Sequence, residues 1–123
     1  MTVLCVDDEL NILKSMKRML YKQDYQLLLA QSGAQALALM QQHDVHLIIS
    51  DMKMPGMSGA QLLEEVAKFY TNTYRILLTG YADIESTVDA FNKGKIHCLL
   101  QKPWDNKEII NAIEEGLAKA KLL

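Results

Sequence analysis

An α/β fold built on a five-stranded parallel sheet, with helices on both faces, is what this sequence predicts, and three observations predict it. Five short apolar runs, Thr2 to Val6, Gln26 to Ala30, His46 to Ser50, Arg75 to Thr79 and His97 to Gln101, recur with stretches of helical character between them, the alternation of βα units. Within the runs the apolar residues are nearly continuous, as in Leu47, Ile48 and Ile49 or Ile76, Leu77 and Leu78. Strands covered on both faces read this way, whereas a sheet with one wet face alternates. Between the runs, apolar residues return at helical spacing behind capping residues.

Taken in order, the first run leads to Asp7, Asp8 and Glu9, of which Asp8 or Glu9 can start a helix with Leu13, Met16 and Leu20 on its core face. Ser32 with Gln35 opens the helix after the second run. After the third run, Pro55, Gly56 and Gly59 form a turn, and Ser58 with Gln61 opens a helix whose stripe is Leu62 or Leu63, Val66, and Phe69 or Tyr70. Asp105 with Glu108 opens the last helix, carrying Ile109 or Ile110, Ile113 and Leu117. The seven Met residues read as fillers of irregular gaps. With no internal repeat, low-complexity tract or linker, residues 1–123 read as one (βα)5 domain.

Composition narrows the function. Of 123 residues, 50% are hydrophobic and 23% charged, which supports a folded core. Lys plus Arg number 13 against 15 Asp plus Glu, so neither nucleic acid nor an acidic membrane is an expected partner. Cys5 and Cys98 lie in separate apolar runs without metal-ligand spacing and read as buried small hydrophobes. The N-terminus lacks a basic region followed by a long apolar one, and no run reaches the ~18 apolar residues of a membrane span, so a cytoplasmic location is expected.

Ligands of open parallel sheets bind beyond the carboxyl ends of the strands. There this sequence places Asp7, Asp8 and Glu9, then Asp51, then Thr79 and Gly80, then Lys102 and Pro103. Gathered carboxylates repel one another unless a cation joins them. An oxygen-only set without nearby His or Cys favours Mg²⁺ or Mn²⁺ over zinc. A metal and an ammonium together are equipment for phosphoryl transfer, where positioning and charge neutralisation do most of the catalysis. A lone Asp after a strand is more often a helix cap, and a lone Thr or Lys there is ordinary; four strand ends bearing this set together are not. His43, His46 and His97 share no ligand spacing, and Trp104 is expected to pack under the last helix, the alternative being a partly exposed ring that anchors a partner.

The motifs VLCVDDE, SDMKMPGMSG, LLTGYAD and LQKPW, in this order, resemble those of the receiver domains of two-component response regulators, over essentially the whole chain. The resemblance implies a flavodoxin-like fold with strand order 2-1-3-4-5 and an Asp51 that accepts a phosphoryl group from a sensor histidine kinase, a phosphotransfer protein or a small acyl phosphate. It further implies that Asp8 and Asp51 bind Mg²⁺ with the backbone carbonyl of Lys53, and Asp7 through water. Lys102 would contact the phosphoryl group, and Thr79 would turn inward to bond it. That movement would reshape the face of the fourth helix, fifth strand and fifth helix toward an output domain or downstream protein, with a phosphorylation-dependent dimer among the outcomes. Such a domain assists its own phosphorylation and dephosphorylation without being an enzyme in the usual sense. The Lys102 to Pro103 bond is usually cis in this family.

Two positions depart from the pattern. Leu99 stands where receivers commonly carry the aromatic residue that swings inward, and Gly80 replaces the more usual Ala after the switch threonine, keeping access to the phosphate open. Lys53 and Tyr81 are expected to flank the approach of a hydrolytic water. TGYADIES with KPWD resembles receivers that precede cyclic-di-GMP phosphodiesterase domains of the HD-GYP type or other output domains. A phosphatase of the haloacid-dehalogenase type also uses an aspartyl phosphate, but it needs Asp-x-Asp where this chain has Asp51, Met52 and Lys53. A degenerate, interaction-only receiver is disfavoured by the intact Asp8, Asp51, Thr79 and Lys102.

Overall fold

Five parallel strands, β1 (Thr2–Val6), β2 (Gln26–Ala30), β3 (Leu47–Asp51), β4 (Tyr74–Thr79) and β5 (Cys98–Gln101), form one sheet of order β2-β1-β3-β4-β5. Among the described residues the helices are α1 (Leu10–Leu20), α2 (Gly33–Gln42), α3 (Gly59–Phe69) and the C-terminal α4 (Asn106–Ala120). The computed structural model describes residues 1–80, 96–101, 103 and 105–123. Lys102, Tyr81 and Trp104 lie outside the described residues, as does the segment 81–95 where the family resemblance places a fourth helix.

Strand periodicity splits the core into two layers. Val3, Cys5, Leu47, Ile49, Ile76 and Leu78 point to one face, where they meet Leu13, Met16 and Leu20 of α1 and Ile109, Ile113 and Leu117 of α4. Leu4, Val6, Ile48 and Leu77 point to the other, against Ala36 and Met40 of α2 and Leu62, Leu63 and Val66 of α3. Each such Leu or Ile contributes roughly 1.5–3 kcal/mol by leaving water. The central strands β1, β3 and β4 are buried throughout, while the edge strands β2 and β5 are only partly covered. Cys5 is buried, its thiol pushed up to about 12 by burial, and is a hydrophobe as expected. Cys98, on the edge, is only half-buried. The α3 stripe ends on Tyr70, which packs against its core layer, while Phe69 is 68% exposed.

The caps follow their signals with different completeness. Ser58 and Gln61 form the full reciprocal box, at 3.2 and 2.9 Å. Ser32 and Asp105 accept from the backbone of Gln35 and Glu108, while the Gln35 side chain reaches Gln31 N–H rather than Ser32. For α1 the cap position is Glu9, and its side chain makes no capping bond.

Two strand starts shift for a common reason. β3 and β5 begin one residue after His46 and His97, because each imidazole serves as a cap. His46 Nδ1 accepts from Thr2 N–H and His97 Nδ1 from Arg75 N–H, both at 3.0 Å, while each histidine N–H donates to the carbonyl of the same partner at 2.9 Å. The histidines are therefore structural, closing the amino-terminal edge of the sheet. Tyr74 stacks on the His97 ring with centroids 4.7 Å apart. Because Nδ1 accepts, the proton of neutral His97 sits on Nε2, and the Arg75 Nη2 found 3.4 Å away is a cation beside a donor, not a hydrogen-bond partner.

Burial, and then the Arg75 charge, lower the His97 pKa below its ordinary value of 6.5. The folded protein thus binds this proton less readily than the unfolded chain. The stabilisation is complete above about pH 6.5, the unfolded value, and is lost as pH falls through the lower folded one. We expect the melting temperature to fall between pH 7 and pH 5 less steeply in His97→Asn, whose amide oxygen keeps an acceptor near the Nδ1 position, than in wild type. Parallel pH profiles would contradict this.

Candidate functional site

The strand order reverses at β1, so the crevice between the carboxyl ends of β1 and β3 is the switch point where open sheets of this kind bind ligands. Val6 pairs with Ser50 and Asp51 with Leu78. Asp7 and Asp8, directly after β1, therefore stand beside Asp51, the last residue of β3. One carboxylate oxygen from each of Asp7, Asp8 and Asp51 lies within 4.8 Å of the other two. Asp7 and Asp51 are buried, and Asp8 is exposed. The Asp7 carboxylate also accepts from Glu9 N–H at 2.9 Å, which fixes the bend from β1 into α1. Since Glu9 holds the cap position, the reading of Asp8 as a helix cap is not what the structure adopts.

Thr79, 2% exposed, ends β4 beside this cluster, and its hydroxyl donates to the Gly80 carbonyl at 3.1 Å. A Cβ added at Gly80 meets no described atom within 4 Å. β5 ends at Gln101, opposite Thr79. Beyond β3 the chain opens an exposed cleft of about 430 Å³ lined by Asp8, Met52, Lys53, Met54, Pro55 and Ser58. Gly56, at φ 76°, makes the turn of this loop and is the only described residue in the left-handed region that favours glycine. Gly59 is not part of that turn. It is the first residue of α3, packed where a side chain would strike the Asp51 backbone.

The donor set suits a hard divalent ion. It is carboxylate oxygen throughout, and ligands about 2.0–2.1 Å from an octahedral ion lie roughly 3–4 Å from one another, a separation compatible with three oxygens that lie within 4.8 Å of each other. His46 and His97 play no part, because they are at the opposite end of their strands. Of the residues expected at the strand ends, Asp7, Asp8 and Asp51 are brought together, and Thr79 follows Leu78, the β4 partner of Asp51. Leu99 lies on edge strand β5, 36% exposed, while Lys102 and Tyr81 are outside the described residues. Sequence reasoning missed the backbone contacts under Asp51, for which the only signals are Ser50 in an apolar strand and a glycine opening a helix.

Known proteins share this sequence pattern and fold. The family model for the response regulator receiver domain matches residues 3–114. The chain is 31% identical over 116 residues to the hydrogenase transcriptional regulatory protein HoxA of Cupriavidus necator, covering 94% of this chain and 24% of HoxA. It is 33% identical over 115 residues to the transcriptional regulatory protein FixJ of Rhizobium meliloti, covering 94% of this chain and 56% of FixJ. The chain thus spans about a quarter of the first curated relatives it matches. Among solved structures, an uncharacterized protein from Neptuniibacter caesariensis is 42% identical with a TM-score of 0.94, over 98% of this chain and 90% of that one. The signal receiver domain of an HD domain-containing protein from Pseudomonas fluorescens Pf-5 is 35% identical with a TM-score of 0.93, over 99% and 98%.

Proposed function

The chain belongs to the response regulator receiver domains, and on that premise we propose that it is a phosphorylation-driven switch in which Asp51 accepts the phosphoryl group. The observation that carries this reading is the convergence of three aspartates at the switch point of the sheet, with Asp51 the one on the central strand. A carboxylate oxygen of Asp51 attacks phosphorus on a phosphohistidine of a sensor kinase or phosphotransfer protein, or on a small acyl phosphate. The new bond forms as the bond to the histidine nitrogen, or to the acyl oxygen, breaks and that atom departs with the electron pair. Asp8 and Asp51, the Lys53 carbonyl and, through water, Asp7 would hold Mg²⁺ or Mn²⁺. When bound, the ion neutralises charge on the transferring oxygens.

The residues around the acceptor have distinct tasks. Lys102 pairs with phosphoryl oxygens as a point charge. The Thr79 hydroxyl, now spent on the Gly80 carbonyl, turns to a phosphoryl oxygen and releases that carbonyl, so the backbone after β4 can rearrange. With Leu99 in place of an aromatic ring, the change passes chiefly through the Thr79 to Gly80 backbone to the face that includes β5 and α4. An output domain or downstream protein reads that face. The likeness to HoxA and FixJ favours a transcriptional output, and the likeness to the receiver of an HD domain-containing protein favours an HD-type one. Acetyl phosphate with Mg²⁺ should add one phosphoryl group, seen by intact mass after acid quench. An unmodified mass would refute the reading.

The phosphorylated state is expected to be long-lived. Lys53, exposed on the cleft wall, carries an ammonium that has no lone pair to serve as a base, and Tyr81 would add a bulky ring to the path of the attacking water. Lys53→Asn and Tyr81→Glu should each accelerate hydrolysis by up to about fivefold, the rate equivalent of ~1 kcal/mol for an exposed charged contact. Phosphoprotein half-lives measured after removing the donor check this, and a double variant no faster than wild type would show that neither residue shields the phosphate.

A further inference from the structure

Resting on the reading of Asp51 as the acceptor, we propose that Ser50 and Gly59 are positioning residues for phosphoryl transfer, holding the main-chain carbonyl of Asp51 and through it the acceptor carboxylate. The end of β3 is pinned from three sides. Met52 N–H donates to the Leu78 carbonyl at 2.9 Å, Gly59 N–H donates to the Met52 carbonyl at 2.8 Å, and the Ser50 hydroxyl donates to the Asp51 carbonyl at 3.0 Å.

Gly59 lets α3 begin directly against this peptide. A Cβ there would fall on the Asp51 carbonyl oxygen, and would lie 2.9 Å from both the Asp51 carbonyl carbon and Leu77 Cδ1. The obstacles are backbone and a fully buried core side chain, so neither gives way cheaply. Either the first turn of α3 or the end of β3 must shift, and the Asp51 Cα shifts with the strand. Gly59 has no left-handed φ to explain it; the close approach does.

Ser50 makes the same point from the strand side. It is wholly buried, follows Leu47, Ile48 and Ile49, and faces a layer otherwise built from apolar residues. A hydroxyl in such a place costs free energy unless bonded, and it adds nothing that Ala would not add to the packing. Its proton goes to the one carbonyl that belongs to the acceptor residue. A peptide plane fixed at its oxygen cannot rotate, so the carboxylate stays aimed into the crevice shared with Asp7 and Asp8. Transfer rates are sensitive to such aim, since a misplacement of about 1 Å can cost on the order of a hundredfold.

The test is the rate of Asp51 phosphorylation by acetyl phosphate at saturating Mg²⁺, per folded molecule, with the folded fraction taken from circular dichroism. Gly59→Ala should be slower by roughly 30- to 100-fold at saturating donor. Ser50→Ala should be slower by about fivefold, the equivalent of one ordinary hydrogen bond, and Ser50→Thr, which keeps the donor, should recover most of that rate. A role in stability alone would lower the melting temperature and leave these rates unchanged. If Gly59→Ala does not fold, the Ser50→Ala and Ser50→Thr pair decides. Rates of Ser50→Ala and of any folded Gly59→Ala within twofold of wild type, with wild type labelled at Asp51, would overturn the positioning role and leave the acceptor assignment standing. Wild type that takes no label at Asp51 would overturn both.

Discussion

Replacing Asp51 by Asn should reduce phosphoryl labelling by acetyl phosphate to background while leaving the fold intact. The two side chains are nearly isosteric, so the cavity at the end of β3 is preserved, and removing one negative charge from a cluster whose carboxylate oxygens lie within 4.8 Å relieves repulsion. The chemistry has no such substitute. An amide nitrogen has no available lone pair, and the carbonyl oxygen cannot form a stable acyl phosphate. Asp7 and Asp8 are poor replacements on geometric grounds. The Asp7 carboxylate is committed to the Glu9 N–H in the bend after β1, and Asp8 is exposed to solvent, whereas Asp51 is buried at the end of β3. Acid-quenched intact-mass spectra of the two proteins decide the matter, and equal labelling of the variant would remove Asp51 from the mechanism.

Some physical signals of this fold are legible in the amino-acid sequence itself. The strands of a doubly covered parallel sheet are continuous apolar runs, so β1 and β2 were readable to the residue and β4 nearly so. The site was readable because the fold places ligands at strand ends, and a polar residue directly after an apolar run stands out. What was not legible depends on contacts between distant parts of the chain. His46 and His97 look like strand residues until the neighbouring strands Thr2 and Arg75 supply the N–H groups they accept. Gly59 looks like part of the turn made by Gly56, because only packing distinguishes a glycine needed for its φ from one needed for its missing Cβ. The α3 period does not choose between Phe69 and Tyr70; packing does, since Tyr70 lies against the core layer and Phe69 is exposed.

Substitution of Asp8 by Asn should have opposite effects on stability depending on whether divalent metal is present. In EDTA, three carboxylates share the crevice, and two unit charges at this spacing repel by about 1 kcal/mol even at the dielectric of water. Removing the exposed one should therefore raise the melting temperature, by roughly 3–5 °C for a domain of this size. With Mg²⁺ the same carboxylate becomes a ligand, and its loss weakens binding to the native state. Wild type should gain stability as RT ln(1 + [L]/Kd), which reaches about 2.7 kcal/mol at a hundred times Kd, whereas Asp8→Asn should gain little at the same concentration. The melting curves of the two proteins should thus approach or cross as Mg²⁺ is added. Acetyl phosphate labelling at fixed Mg²⁺ should fall in the variant by on the order of tenfold or more, in line with disturbed ligand shells elsewhere. A variant that melts at or below wild type in EDTA and keeps the full Mg²⁺ shift would mean that Asp8 neither repels its neighbours nor ligates the ion, and the crevice would then have to hold its metal through Asp51, the Lys53 carbonyl and Asp7.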